Sequence, residues 1–141
     1  MKFLFAAVLL LPAFAFAQTS PVGLWKTIDD DGKTAKSLVR ISEQGGTLVG
    51  SIDKLLDPKD PTDAKCDKCA DDRKNQPIVG LQVIRGVKAE GDGTWGGGEI
   101  LDPNNGKTYR TRLKPVDGGK KLEMRGYIGP FYRTQTWIRV E

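Results

Sequence analysis

Two cysteines with two residues between them, Cys66 and Cys69, are the side chains of this chain best suited to chemistry. In an oxidising compartment such a pair closes a small disulfide, and the leading interpretation is a structural cross-link within a long loop. A redox pair of the thioredoxin kind is the second interpretation, although that pair is expected at the start of a helix. A zinc site is the third, and it would have to borrow carboxylates such as Asp63 or Asp72.

The chain contains no histidine, which excludes Ser-His-Asp and Cys-His catalysis and imidazole-ligated zinc. Glu99 and Asp102 lie three residues apart on a predicted strand, so their carboxylates point to opposite faces and cannot act as an acid/base pair. The acids at 29–31 are consecutive rather than alternating, unlike those of a calcium loop. The sequence therefore predicts a protein that is not an enzyme and that holds no metal ion and no cofactor.

The first 17 residues have the pattern of an export signal. Lys2 is a short basic region, residues 3–11 are apolar, and Ala15 to Ala17 form a small-x-small cleavage site. Pro12 stops the apolar run well before the roughly 20 residues that a membrane-spanning helix needs. We expect cleavage after Ala17, a single domain over residues 18–141, a periplasmic or secreted location in a bacterium, and no stable membrane insertion.

Turn signals with regular spacing divide the rest of the chain: Asp31-Gly32, Gly45-Gly46, Asp92-Gly93, Asn105-Gly106, Asp117-Gly118 and Gly129-Pro130. Such pairs supply the positive φ that tight hairpins require, and the gaps between them leave room for one strand each. The sequence predicts eight strands at Val22 to Ile28, Ser37 to Ser42, Thr47 to Leu55, Ile78 to Lys88, Thr94 to Leu101, Thr108 to Lys114, Lys121 to Tyr127 and Phe131 to Val140.

Eight strands joined mostly by short hairpins favour an all-β, antiparallel up-and-down barrel, since closure removes the exposed sheet edges. A two-sheet sandwich is the alternative, and the single long connection, the Cys-containing loop at 56–77, keeps it open. In a closed barrel the first and last strands are neighbours. We expect four residues from these strands to close the barrel: Gly23, Trp25, Trp137 and Arg139.

An eight-stranded barrel is either filled by side chains or holds one small ligand. Strand glycines such as Gly50 and Gly126 mark bends or leave internal space. Candidate residues for lining a ligand cavity come from the apolar faces of the strands: Leu81, Val83, Tyr109, Leu113, Leu122, Met124 and Tyr132.

Charge gives no sign of a nucleic-acid partner. The 22 basic and 18 acidic residues are interleaved, for a net charge of +4. The densest basic stretch alternates Arg110 and Arg112 with Tyr109, so its aromatic and basic side chains fall on opposite faces of one strand, whereas a phosphate-binding stripe needs them together. We interpret the basic face as solvated.

A Gly-x-Trp start followed by an eight-strand meander resembles the lipocalin and calycin barrels, in which that tryptophan closes one end beneath an arginine of the last strand. The chain more specifically resembles the bacterial exported family catalogued as domain of unknown function 2147, over residues 21–140. The resemblance rests on Gly23-Leu24-Trp25, Cys66-x-x-Cys69, the segments 76–81, 97–103 and 106–109, Arg125-Gly126-Tyr127-Ile128-Gly129 and Thr134-Gln135-Thr136-Trp137. It implies a lipocalin-like fold and no established activity.

Three functional hypotheses follow. The first is an exported, non-enzymatic barrel that binds a small, largely apolar ligand. The second is thiol/disulfide redox chemistry through Cys66 and Cys69. The third is an envelope protein-interaction module with a filled barrel, which would use the charged loop at 56–77.

Overall fold

The computed structural model describes residues 7–10 and 19–141 of the 141-residue chain. Apart from residues 7–10, the expected export signal lies outside the described residues. In the described part, no helix has the length and apolar character needed to cross a membrane. The strands are β1 Gly23–Ile28, β2 Ala35–Gln44, β3 Thr47–Leu55, β4 Gln82–Ala89, β5 Trp95–Asp102, β6 Lys107–Val116, β7 Lys121–Ile128 and β8 Phe131–Arg139.

The eight strands form a closed barrel in which each strand pairs antiparallel with the next and β8 pairs with β1. The predicted up-and-down barrel is confirmed, and the sandwich alternative is excluded. All six turn signals lie between consecutive strands. The reason is that glycine adopts the left-handed backbone of tight turns without a steric penalty, as Gly32 does at φ 72°.

The fourth strand starts later in the structure than the sequence predicts. The extended ladder starts at Gln82 rather than Ile78, so the connection between β3 and β4 runs from 56 to 81. Gly80 has φ 91°, and the amide of Leu81 donates back to the carbonyl of Ile78 at 3.0 Å, which makes residues 78–81 a turn. The turn reverses the chain just before β4, so the apolar residues at 78–81 precede the strand instead of extending it.

The two ends of the barrel differ. The connections after β1, β3, β5 and β7 lie at one end, which we call the mouth, and those after β2, β4 and β6 lie at the other, which we call the closed end. The interior near the closed end is filled by fully buried side chains, among them Trp25, Ile41, Ile84, Leu113 and Leu122. Gly50 allows this packing, since a Cβ there would approach Ile84 Cδ1 to 3.0 Å.

Trp25 and Arg139 plug the closed end. The Arg139 guanidinium lies 4.2 Å from the centroid of the Trp25 ring, and the two residues are partners in the β1–β8 ladder. Arg139 also donates to the carbonyls of Gly119 (2.6 Å), Val22 (2.9 Å) and Ser20 (2.9 Å), while the Trp25 indole donates to Pro21 O at 2.7 Å. One side chain thus joins the first strand, the last strand and the turn between β6 and β7.

Candidate functional site

A cavity of about 650 Å³ occupies the half of the barrel next to the mouth. This volume lies within the range of about 300–1,000 Å³ typical of small-molecule sites. Its inner wall is apolar and is formed by Val39, Ile52, Ile78, Val83, Ile100, Leu101, Met124 and Trp137. The barrel is therefore filled with packed side chains at the closed end and contains a cavity at the mouth.

Charged and amide side chains surround the cavity where it meets solvent. The acids are Asp29, Asp30, Asp60, Asp67 and Asp102, and the bases are Lys36, Lys65, Lys68 and Arg133, with Asn104 and Asn105 beside them. Because the two signs nearly balance, the rim favours no single ligand charge. The cavity combines an apolar interior with a polar entrance.

Two hydroxyls bring polarity deeper into the cavity wall. Thr27 Oγ1 and Ser37 Oγ are buried, lie 2.8 Å apart and hydrogen-bond to each other, and the Ser37 amide donates to Thr27 Oγ1 at 3.1 Å. Among the described residues, no buried side-chain nitrogen or oxygen lacks a hydrogen-bond partner. The pair is thus satisfied without a ligand and still presents hydroxyl groups to one.

Side chains complete the barrel seam where the β1–β8 ladder stops. Only Trp25 and Lys26 of β1 have ladder partners in β8, near the closed end. Closer to the mouth, the Asp30 carboxylate accepts from Arg133 Nη1 at 3.1 Å and from Gln135 Nε2 at 2.8 Å. Gln135 Oε1 in turn accepts from the Trp137 indole at 2.9 Å. A hydrogen-bonded chain of side chains thus spans the seam beside the cavity.

The connection at 56–81 forms another wall of the cavity. Cys66 and Cys69 form a disulfide, and both are buried. The loop packs tightly against the β5–β6 hairpin, since a Cβ at Gly106 would overlap the backbone carbonyl of Lys68. The cross-link therefore shapes the part of the loop that lies against the barrel.

Arg73 fastens this loop to the barrel. Its side chain is only 3% exposed, and its guanidinium makes a two-point contact with Asp71 (3.0 and 2.5 Å) and donates to the carbonyl of Gln82 in β4 at 3.0 Å. Arg85 of β4 binds Asp72 in the same two-point manner, at 3.0 and 2.8 Å. Planar arginine–carboxylate pairs fix geometry as well as charge, so the loop is held in one position.

The residues proposed from the sequence as cavity lining separate into three groups. Val83, Tyr109 and Met124 line the cavity. Leu81, Leu113 and Leu122 are buried among the packed side chains and are not part of its lining. Tyr132 is 53% exposed on the outer face, because the period-two alternation of β8 turns Arg133, Gln135 and Trp137 inward.

Sequence reasoning missed the polar part of the lining. Thr27 and Ser37 lie at the alternation positions of Trp25 and Val39, so the period of β1 and β2 could have placed them inside. Among the strand glycines, Gly126 lines the cavity, whereas a Cβ at Gly98 would overlap the backbone of Arg85. One glycine thus leaves internal space, and the other permits close packing between strands.

Within residues 7–10 and 19–141, no group of three or more cysteine, aspartate or glutamate side chains is arranged to bind a metal ion. The shifted carboxyl groups are explained by structural contacts: hydrogen bonds from Arg73 lower the pKa of Asp71, and those from Arg85 lower the pKa of Asp72.

We expect Arg73→Gln to release the loop. The substitution removes hydrogen bonds to a charged group at a buried position, and because Asp71 stays half-exposed the cost should be about 1–3 kcal/mol. Limited proteolysis at the loop lysines should become clearly faster, whereas Asp63→Asn, an exposed position in the same loop, should leave the rate unchanged. Equal cleavage rates in both variants would contradict this role of Arg73.

Stability should be nearly independent of pH from about 5.5 to 8, because the chain lacks histidine and its two cysteines are bonded to each other. The lowered pKa values of Asp31, Asp71, Asp72 and Asp92 mean that the folded state holds these protons less tightly than the unfolded state. Their contribution is complete above the unfolded value of 3.8 and is lost as the pH falls through the folded values. Urea denaturation across this range checks the expectation, and a transition near pH 6 would contradict it.

A closed eight-stranded antiparallel barrel with a cavity open at one end is the architecture of lipocalin-like proteins. The chain belongs to the family DUF2147, described as uncharacterized proteins conserved in bacteria, whose model matches residues 23–139. A similar solved structure is protein HP1028 from the human pathogen Helicobacter pylori, described as belonging to the lipocalin family. It is 20% identical, the match covers 87% of this chain and 84% of that one, and the TM-score is 0.74. No curated protein matches the sequence.

Proposed function

We propose that this protein is an exported, non-enzymatic carrier that binds one small amphiphilic molecule, with the apolar part inside the barrel and the polar part at the mouth. The observation that carries this proposal is the cavity of about 650 Å³ between an apolar interior and a charged rim. Burial contributes about 0.8 kcal/mol for each CH₂ group, so an acyl chain of moderate length gives useful affinity.

The polar groups of the site suit the head of such a molecule. The Thr27 and Ser37 hydroxyls and the Asn105 amide can donate or accept hydrogen bonds, and the rim offers both charges. A zwitterionic or neutral hydrogen-bonding head group fits this rim better than a head of a single charge. The lipocalin-like fold supports the proposal at the level of architecture.

Export to the periplasm or beyond it is part of the proposal and rests on the pattern of residues 1–17. A disulfide is consistent with an oxidising compartment. Mass analysis of the secreted protein should give a chain that begins at Gln18.

The redox alternative has less support. Cys66 and Cys69 are 0% and 2% exposed and lie in a loop rather than at the start of a helix. Thiol–disulfide exchange requires a partner thiolate to reach one of the sulfurs, and this burial hinders the approach. The disulfide is better explained as a cross-link within the loop that packs against the barrel.

Native mass spectrometry of protein purified from its own host without detergent tests the proposal. We expect a stoichiometric adduct of lipid-like mass, which organic solvent extracts. The double variant Cys66→Ser/Cys69→Ser should retain that adduct if the protein is a carrier. A bare protein mass, in a preparation whose cavity also fails to take up added amphiphiles, would refute the proposal.

A further inference from the structure

The tip of the β7–β8 hairpin exposes large apolar side chains beside the mouth. Phe131 is 76% exposed, Ile128 is 52% exposed and Tyr132 is 53% exposed. Ile128 and Phe131 are cross-strand partners, joined by the turn at Gly129-Pro130. Large apolar side chains grouped at an exposed hairpin tip are typical of interaction sites.

Two arginines lie behind this tip on the outer face of the barrel. Arg125 lies 4.5 Å from the centroid of the Tyr132 ring, and Arg110 lies 5.6 Å from that of Tyr127. Within residues 19–141 neither guanidinium forms an ion pair with a carboxylate, whereas Arg112 is paired with Glu90 and Arg133 with Asp30. Arg110 lies opposite Glu99 in the β5–β6 ladder but forms no ion pair with it, and Glu99 is paired with Arg73 instead, so two arginines outside ion pairs accompany the apolar tip.

The distance between the apolar tip and the arginines matches the thickness of the interface between water and lipid. Arg125 lies three residues from Ile128 along β7, a distance of about 10 Å at the rise of a β-strand. Elements that bind at membrane interfaces bury their apolar side chains about 5–10 Å deep, at the boundary of head groups and acyl chains. Tyrosine rings and basic side chains are favoured at the level of the head groups, where this spacing would place Tyr127, Tyr132 and the two arginines.

We propose that the β7–β8 hairpin docks the protein on the surface of an anionic phospholipid bilayer. Ile128 and Phe131 enter the acyl boundary, and Arg110 and Arg125 contact the phosphates. Ile128 also belongs to the cavity lining, so docking brings the mouth of the barrel against the lipid. The docking surface does not depend on the cavity being occupied.

A single-stranded nucleic acid fits this surface less well. Stacking of bases requires free aromatic faces, and here Tyr127 and Tyr132 each have a guanidinium over the ring. The outermost residues are an aliphatic side chain, Ile128, and a phenyl group at a convex hairpin tip. This shape and composition suit insertion into a lipid interface better than a groove for a polynucleotide.

Co-sedimentation with vesicles of phosphatidylcholine alone, or of phosphatidylcholine with one quarter phosphatidylglycerol, tests the proposal. Loss of one buried aromatic anchor in Phe131→Ser should weaken binding to the anionic vesicles roughly tenfold or more. The double variant Arg110→Gln/Arg125→Gln should weaken it roughly thirtyfold and remove the preference for anionic lipid. Val140→Ser is the matched control, because Val140 is 52% exposed but lies at the closed end.

Several outcomes would overturn the proposal: no binding of the wild-type chain to anionic vesicles, equal losses in Phe131→Ser and Val140→Ser, or binding that needs the arginines but not Phe131. The proposal would also be overturned if the wild-type protein binds no vesicles and instead self-associates in a way that Phe131→Ser abolishes. Tight binding of single-stranded DNA in place of vesicles would overturn it as well. Gly126→Phe, which fills the cavity, should keep vesicle binding, so a failure of docking and a failure of the carrier function can be told apart.

Discussion

Trp25→Ala is expected to lower the free energy of unfolding by about 3–5 kcal/mol, the range measured for deletion of a buried aromatic side chain. Trp25 is fully buried at the closed end and lies directly beneath the Arg139 guanidinium. Because domains of this size are stable by only about 5–15 kcal/mol, the variant should lose a large fraction of its stability. Urea denaturation followed by circular dichroism measures the change.

Two arginines of β8 provide the matched comparison for this closure. Arg139→Met should cost about 2–4 kcal/mol, because it removes three hydrogen bonds to carbonyls and the contact with the indole. Arg133→Met, at the opposite end of the same strand, removes an exposed ion pair with Asp30 and should cost less than about 1 kcal/mol. Equal costs for the two substitutions would show that Trp25 and Arg139 do not close the barrel as described.

Gly126→Phe should abolish binding of an amphiphilic probe while the barrel stays folded. Gly126 lines the cavity, its φ is not in the left-handed region, and the nearest neighbour of an added Cβ is Tyr109 Cβ at 3.8 Å, an ordinary contact. A phenyl group built there would enter the cavity. If it displaces about four methylene groups of a ligand, the loss is about 3 kcal/mol, or roughly a hundredfold in Kd. Fluorescence titration with an environment-sensitive amphiphile measures the loss.

Thr136→Phe is the control for this substitution, because Thr136 is exposed on the outer face of β8 and does not line the cavity. It adds a phenyl group of the same kind outside the barrel and should leave the Kd unchanged. The free energy of unfolding of Gly126→Phe should equal or slightly exceed that of the wild-type protein, because glycine is unfavourable within a strand. Unchanged probe affinity in Gly126→Phe would place the probe outside the cavity.

The architecture was accessible from the sequence because each hairpin carries its own local signal. Thr47–Leu55 was bounded correctly, since Gly45-Gly46 precedes it and alternation runs through it. The sequence could not locate the start of β4. Gly80 can either continue a strand or form a turn, and the outcome depends on its φ and on its contacts with β3, a strand that is distant in sequence. Local patterns fix turns better than they fix the ends of apolar runs.

The site was accessible only in part, because it depends on which residues from distant strands meet. Alternation predicts that Tyr109 and Met124 face inward, and both are among the lining residues of the cavity, but alternation cannot say where the packed interior ends and the cavity begins. The basic and aromatic residues were expected on opposite faces, and within β6 they are. Arg125 and Tyr127 share the outer face of β7, as its period predicts. Arg110 of β6 and Tyr132 of β8 join them from the neighbouring strands, which a period within one strand cannot reveal.

The methyl resonance of Met124 gives the most direct test of a ligand-accessible cavity. Met124 lines the cavity, and the only other methionine in the sequence is Met1, so protein labelled at the methionine methyl gives a readily assigned spectrum. We predict that a dodecyl-chain zwitterionic amphiphile, added below its micelle concentration, shifts this resonance to saturation at one equivalent and leaves the Trp25 indole signal in place. A Met124 resonance that stays unmoved at excess amphiphile would contradict the account.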